Sequence, residues 1–414
     1  MIHIRTVSDT TYQETQTQYI EANFLQSAEM ARLQLSRGRD IEYLAFYDDD
    51  VLVGQTIVQY RNIKAFFKEA LILHGPLFTN WESSLMHLCL KALEKYLNKQ
   101  LCVRVSLSPY LIQAIKDDQL SVLQDNLSGH ILKTFETMGY RNEFDPKQET
   151  VVNTLFVKSL DELHSPDELL QSLTPSIKRD IKKFQAMQVR VEELSDENID
   201  QFYDILTTTS QRKDFFIQEV DYFKKIKEHF QEQAKFMYAY LDCAAYLDYL
   251  TTHIQDFSQV IEELEKGPQS KRTKGKLADA RDQLQSYQKR LQQFKEMNIT
   301  QDKLPLSSYL FICYGSEVVS FAGGNYEQYM NFGGASLIHW TMLQYALEHG
   351  YQTFNFYGTS ETNLLGTGKG NFNFKRQFNG QLHLLLGTFT KSLNIIGKSL
   401  EMLTQLKNRS GTHS

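Results

Sequence analysis

The sequence predicts an α/β chain made of two similar halves, with an antiparallel helical hairpin inserted into the second. Two observations carry this expectation. The first is a recurrence: a strand hairpin, a helix running into Gly-Tyr and a following strand occur near the start of the chain and again near its end. The second is a periodic signal between them. Leu247, Leu250, Ile254, Phe257, Ile261 and Leu264 step alternately by three and four positions, and Leu277, Ala280, Leu284, Tyr287, Leu291 and Phe294 repeat those steps.

In chain order, Tyr43 to Tyr47 and Val51 to Tyr60 are β-branched and aromatic runs separated by Asp48-Asp49-Asp50, which predicts a hairpin. Thr79 and Glu82 read as a capping box for a helix through Leu85, Leu88, Leu93 and Tyr96. A strand through Val103, Val105 and Leu107 then stops at Pro109. Phe135 to Phe144 reads as a helix end, Gly139-Tyr140 and a strand. Tyr309 to Tyr314, a Gly315-Ser316 turn and Val318 to Phe321 repeat the hairpin, and Trp340 to Glu348, Gly350-Tyr351 and the Phe354 strand repeat the rest. A cleft for a large ligand is expected between such halves.

Each arm helix, taken as about 22 residues, reaches ~33 Å. The turn from Lys266 to Lys276 carries Lys271, Arg272 and Lys274 among its cations and no anion, which suits a nucleic-acid contact or a soluble turn equally. Thr174-Pro175-Ser176 predicts a helix start. Lys178 and Lys182 then share one face and Arg179 and Lys183 another, a surface able to hold phosphates or simply a solvated one. The C-terminal stretch from Lys391 to Lys407 reads as an amphipathic helix through Leu393, Ile396, Leu400 and Leu403, packed on its own domain or laid on a membrane surface.

The chemistry is expected between Gln352 and Gly387. Phe354 and Phe356 alternate as on a strand, glycines 366, 368 and 370 make a turn, and Phe372 and Phe374 alternate again, so Lys375 is expected on a second strand facing whatever the loop encloses. A cation so placed suits an anionic acyl-transfer intermediate; it also suits an edge strand that must resist aggregation.

Composition narrows the field. With 414 residues, 42% of them hydrophobic, the chain is globular and long enough for several domains, and a net charge of −6 leaves nucleic-acid contact to local patches. Cys89, Cys102, Cys243 and Cys313 are scattered without Cys-x-x-Cys or clustered histidine, so no zinc site or disulfide framework is expected and a reducing cytoplasm fits. No signal-peptide core or membrane-spanning window is found. The glycines around Lys369 match neither a dinucleotide fingerprint nor a P-loop, and no nucleophile elbow occurs, so covalent catalysis by a protein nucleophile is unsupported.

Taken together the residues resemble a known family, the FemA, FemB and FemX peptidoglycan branching aminoacyltransferases, including the streptococcal MurM and MurN enzymes. The resemblance spans nearly the whole chain. It rests on the basic run within Leu173 to Val191, on Thr208-Thr-Ser-Gln-Arg212-Lys-Asp-Phe215 with Tyr222, and on the arm. Beyond the arm it rests on Ala322-Gly-Gly324, His339-Trp340, Asn355-Phe-Tyr-Gly-Thr-Ser360 and Phe374-Lys-Arg-Gln-Phe378. It implies two GNAT-like domains, at 1–146 and at 147–241 with 300–390, an arm at 242–299, and a C-terminal helix and tail at 391–414. It also implies transfer of an amino acid from aminoacyl-tRNA to the stem-peptide amine of lipid II or its nucleotide precursor, without cofactor or metal, in the cytoplasm or at the inner membrane face.

Carried over by residue, Lys375 looks like the lysine that stabilises the oxyanion and Arg212 like the arginine that contacts the precursor, with Phe374, Tyr357 and Gly358 beside the substrate. Lys178, Arg179, Lys182, Lys183, Lys271, Arg272 and Lys274 are the expected tRNA or phosphate contacts. Gln26 matches the family's N-terminal segment, whereas Met30, Gln34 and Ser108-Pro109-Tyr110 depart from it. Two other readings stand: an acyl-CoA-dependent acyltransferase, for which no pyrophosphate loop is found, and a non-catalytic RNA-binding or scaffold protein.

Overall fold

The computed structural model describes residues 1–19, 21–64, 66–142, 151–268, 270–359 and 369–410. The Gly366-x-Gly368 turn and the end of the Phe135 to Phe144 unit therefore lie outside the described residues.

Two sheets form. The first runs Ile2–Thr6, Asp40–Asp48, Val51–Lys64, Phe67–Leu73, Cys102–Ser108, Phe389–Ser392 and Arg141–Asn142, with Leu77–Phe78 added against Val51–Lys64. The second runs Val189–Glu193, Ala234–Asp242, Lys303–Tyr314, Glu317–Asn325, Thr353–Gly358, Thr154–Ser159, Gln381–Leu385, Ile112–Lys116 and Val122–Gln124. Each contains a parallel pair: Phe67–Leu73 with Cys102–Ser108 in one, Glu317–Asn325 with Thr353–Gly358 in the other. The expected recurrence is shifted by one strand: Phe67–Leu73 separates the first hairpin's Val51–Lys64 from Cys102–Ser108, whereas Glu317–Asn325 of the second hairpin is itself a member of the parallel pair. The sheets also exchange strands across the expected divisions: Ile112–Gln124 extends the second sheet, and Phe389–Ser392 returns to the first.

The Gly-Tyr pairs close helices that stand at different places: Gly129–Thr137 leads to Arg141–Asn142, which pairs antiparallel with Phe389–Ser392, while Gly334–Glu348 joins the parallel strands Glu317–Asn325 and Thr353–Gly358. Gly139 (φ 81°) and Gly350 (φ 74°) each follow a helix in the left-handed conformation that a side chain resists. Tyr140 N then donates to Phe135 O at 3.0 Å and Tyr351 N to Ala346 O at 2.9 Å, closing both helices in the same way. Helix Ser83–Lys99 buries Met86, Cys89, Leu90, Leu93 and Leu97 on one face against the first sheet. Each such side chain contributes about 1.5–3 kcal/mol when removed from water. Its start differs from expectation. Glu82 is the N-cap without a side-chain bond, and Thr79 Oγ1 donates instead to Val53 O at 3.2 Å, because that threonine is tied to the neighbouring strand.

The arm is an antiparallel pair, Cys243–Lys266 and Lys271–Glu296. At its base the seam passes through Tyr246, not Leu247: Tyr246 stacks edge-on with Phe294 and Phe332, while Leu247 is exposed, because the helix meets the second half's core there. Tyr249 and Tyr287 hydroxyls meet at 3.2 Å within the seam. The tip is shorter than read from sequence, since Lys271, Arg272 and Lys274 already belong to the second helix, capped by Ser270.

At the C-terminus Lys391 lies on a strand and pairs with Glu94 at 2.8 Å, and the helix starts only at Ile395. Strand pairing at Phe389–Ser392 takes residues whose apolar spacing also suits a helix. No helix among the described residues is long and apolar enough to cross a membrane.

Candidate active site

Lys375 stands on a helix, Lys369–Arg376, and not on the strand its Phe-x-Phe context suggests. Helical spacing explains the difference. Phe372, three positions earlier, enters the second half's core, and Lys375 turns inward beside it. The side chain is 6% exposed. Its Nζ donates to Tyr357 O at 3.1 Å and Gly358 O at 2.6 Å, at the end of the Thr353–Gly358 strand. No carboxylate pairs with it among the described residues. Burial, with a smaller contribution from the Lys213 charge, pulls its pKa down to about 7. The next residue anchors the helix: Arg376 Nε and Nη2 both reach Asp118 Oδ2, at 2.9 and 2.7 Å. Asp118 follows the strand that the N-terminal half lends to the second sheet.

Tyr357 occupies the left-handed region (φ 61°), a conformation that costs a non-glycine residue of the order of 1–3 kcal/mol. Asn355 Oδ1 accepts from its N–H at 2.8 Å and holds the turn. Its ring sits near Phe321 and Phe24, so the first half's N-terminal segment packs directly behind the strand end that faces Lys375. Phe374 packs edge-on to His339, which is also surrounded by Phe311, Phe354, Phe356 and Phe378. His339 Nδ1 donates to Ala335 O at 2.8 Å, so Nε2 accepts from Ser320 Oγ at 3.1 Å. Burial pushes its pKa down to about 4, which makes it a neutral core histidine.

Arg212 lies in the last turn of helix Ile199–Lys213, which ends at left-handed Asp214. That helix sits flush on the sheet at Gly324, where an added Cβ would come within 2.5 Å of Thr209 Oγ1. Thr209 Oγ1 in turn accepts from Asn325 N at 2.9 Å. The side chain, 26% exposed, pairs through its guanidinium with Glu327 at 3.1 Å and approaches Met330 Sδ at 4.0 Å. Any acidic ligand at Arg212 competes with the Glu327 carboxylate.

The basic helix, Pro175–Ala186, buries Ile177, Ile181 and Phe184 and exposes Arg179, Lys182 and Lys183. Lys178 bonds Gln171 Oε1 at 3.2 Å, and none of the four cations pairs with an acid among the described residues. The same holds for Lys271, Arg272 and Lys274 at the arm tip. Cations in a helix's first turn oppose its dipole, so that cluster weakens the helix start.

Gln26, which matches the family's N-terminal segment, is fully buried. It accepts from Ile57 N at 2.8 Å and donates to Leu73 O at 2.8 Å, clamping the N-terminal segment onto the first sheet. Arg37, not singled out from sequence, lies 4.7 Å over the Tyr222 ring and bonds Gln218 at 2.7 Å. Sequence reasoning also missed Asn23, His74 and Glu317. Asn23 Nδ2 donates to Glu317 Oε1 at 2.8 Å, and His74 Nδ1 donates to Asn23 Oδ1 at 2.8 Å. A glutamate after a Gly-Ser turn reads as a solvated hairpin residue, and nothing local marks Glu317 as buried.

This geometry sits in a chain that matches the FemAB family model over residues 7–399. The chain is 25% identical over 391 residues to the aminoacyltransferase FemA of Staphylococcus epidermidis, covering 90% of this chain and 92% of that protein. It is 27% identical over 382 residues to the aminoacyltransferase FemB of the same species, covering 91% of each. The crystal structure of FemX superposes with a TM-score of 0.74 at 18% identity, covering 97% of this chain and 99% of that one, and so shares the fold. With the family match running from the first helix into the last, the chain belongs to the FemAB family.

Proposed function

We propose that this protein is an aminoacyltransferase that moves an amino acid from aminoacyl-tRNA to the stem-peptide amine of a lipid II-type peptidoglycan precursor, building the interpeptide branch. The observation that carries the reading is Lys375: a buried lysine whose Nζ donates to two backbone carbonyls, in a chain that matches the FemAB family almost end to end.

The chemistry needs no protein nucleophile, because an aminoacyl ester is already activated. The acceptor amine attacks the ester carbonyl, and the carbonyl oxygen becomes an oxyanion. The C–O bond to the tRNA ribose then breaks, and the proton lost by the amine ends on that ribose oxygen. In its protonated form Lys375 has three N–H bonds, two of which serve Tyr357 O and Gly358 O, leaving one for the oxyanion. A rigid donor in a buried site stabilises that charge more than the neutral ester. Phe374, Tyr357 and Gly358 line this place, and Arg212 offers a fork for a carboxylate or phosphate of the precursor.

The cations of the basic helix and the arm tip, which have no acid partner among the described residues, are the surfaces proposed for tRNA phosphates. A lipid-linked acceptor places the reaction at the inner membrane face. The C-terminal helix, which exposes Ile395 (82%) and Met402 (63%), supports contact there. The decisive test is mass spectrometry of lipid II after incubation with charged tRNA and the protein. A gain of one aminoacyl residue is expected; gain with acetyl-CoA in place of charged tRNA would overturn the proposal.

A further inference from the structure

Behind the Tyr357 turn lies a buried carboxylate that the reaction does not touch. Glu317 is 6% exposed, opens the Glu317–Asn325 strand, and has no cationic partner among the described residues. Three neutral donors hold it, each from a different segment. Asn23 Nδ2 reaches Oε1 at 2.8 Å, while Tyr110 OH and Asn355 Nδ2 reach Oε2 at 2.9 and 3.0 Å. Asn23 and Tyr110 belong to the N-terminal part of the chain and Asn355 to the strand that ends at the candidate site, so the carboxylate ties the two halves together.

Its effect on Asn355 is directional. An ionised carboxylate only accepts, so it draws the Asn355 amide nitrogen toward itself and turns Oδ1 the other way. Asn355 Nδ2 also reaches Tyr110 OH at 3.2 Å, which uses its second hydrogen and locks the amide. Oδ1 is thereby presented to Tyr357 N at 2.8 Å. That bond supports the left-handed turn that directs the Tyr357 and Gly358 carbonyls at Lys375 Nζ.

We infer that Glu317 is a positioning residue for Lys375, acting through the Asn355 amide and the Tyr357 turn. The inference rests on the proposed role of Lys375 in stabilising the oxyanion. Burial raises the Glu317 pKa from its ordinary value, and its three donors oppose that shift.

The test is a double-mutant cycle in the full-length protein with charged tRNA and lipid II. Glu317→Gln keeps shape but turns one acceptor into a donor, so one of its three contacts becomes donor against donor. Expected are a fall in kcat of about tenfold or more and a precursor KM within about twofold of wild type. The limb of the pH profile that belongs to Lys375 should move to lower pH, because lost carbonyl contacts favour the neutral amine. In the Lys375→Met background the same substitution should change kcat little, since the group it positions is gone. Additive effects in the cycle would reduce Glu317 to a structural strut and overturn the inference while leaving the role of Lys375 intact. Wild-type kcat in folded Lys375→Met would overturn both. If Glu317→Gln does not fold, Tyr110→Phe, which removes only a hydroxyl, carries the same cycle, with a smaller fall in kcat expected and additivity again the overturning result.

Discussion

Two buried glutamates, one in each sheet, are held in opposite ways. Glu69, 1% exposed, lies between Arg61 and Arg104, its cross-strand neighbours on either side. Both guanidiniums reach solvent, so the first sheet buries a carboxylate by pairing it with cations that stay hydrated. Glu317 receives only neutral donors, and Lys375, whose carbonyl acceptors it is inferred to orient, has no acid partner among the described residues. In the first sheet charge is neutralised where it is buried. In the second, a carboxylate and an ammonium are each held by dipoles, which leaves the ammonium's charge available to something that arrives. The first arrangement suits stability; the second is the one proposed to serve the chemistry.

The largest effect that would break this contrast is at Lys375. Lys375→Met should lower kcat by about 10²-fold or more with precursor KM nearly unchanged, read in steady-state transfer to lipid II. The same substitution should raise the melting temperature. A lysine whose folded pKa is pulled down to about 7 binds its proton less well in the folded state than in the unfolded one. The penalty is full below about pH 7 and disappears toward the ordinary lysine value. The melting advantage of the variant should therefore be greatest at pH 7 and below and shrink as pH rises toward 10; an advantage that grows with pH would mean the ammonium is compensated after all.

Glu69 offers the converse. Glu69→Gln removes the charge shared by two arginines and should cost about 1–3 kcal/mol of stability, measured by denaturant unfolding, while kcat of the folded enzyme stays at wild type. A fall in kcat without loss of stability would erase the distinction between the sheets. Arg212 sharpens it at the surface, because its cation is paired but with an exposed glutamate that a ligand can displace. Arg212→Lys keeps charge and loses the fork, so precursor affinity should fall several-fold with tRNA affinity unchanged, by titration of each. Least affected should be the arm. Changing Lys271, Arg272 and Lys274 together to Gln should weaken tRNA binding modestly and flatten its salt dependence, with no fall in melting temperature. Superimposable salt curves would return the tip to a solvated turn.

The sequence by itself predicted α/β halves and the arm, because hairpin runs, Gly-Tyr helix ends and the seam repeat are local signals, but the hairpins and Gly-Tyr helices it matched stand at different places in the two sheets. It also singled out Lys375 as a candidate, and the resemblance to the family singled out Arg212. Tertiary structure decided the rest. Phe372 and Phe374 alternate as well for a strand as for one turn of helix, and only packing of Phe372 into the second core selects the helix. Lys391 and Ser392 suit an amphipathic helix until pairing with Cys102–Ser108 claims them for a strand. Gln26 carries the family's pattern, yet its meaning, a clamp closed on Ile57 and Leu73, is visible only when those backbones are beside it. Glu317 could not be read at all. Its donors Asn23, Tyr110 and Asn355 are brought together from across the chain only by the contact between the halves, and a carboxylate's burial depends on what packs over it, not on the residues next to it in sequence.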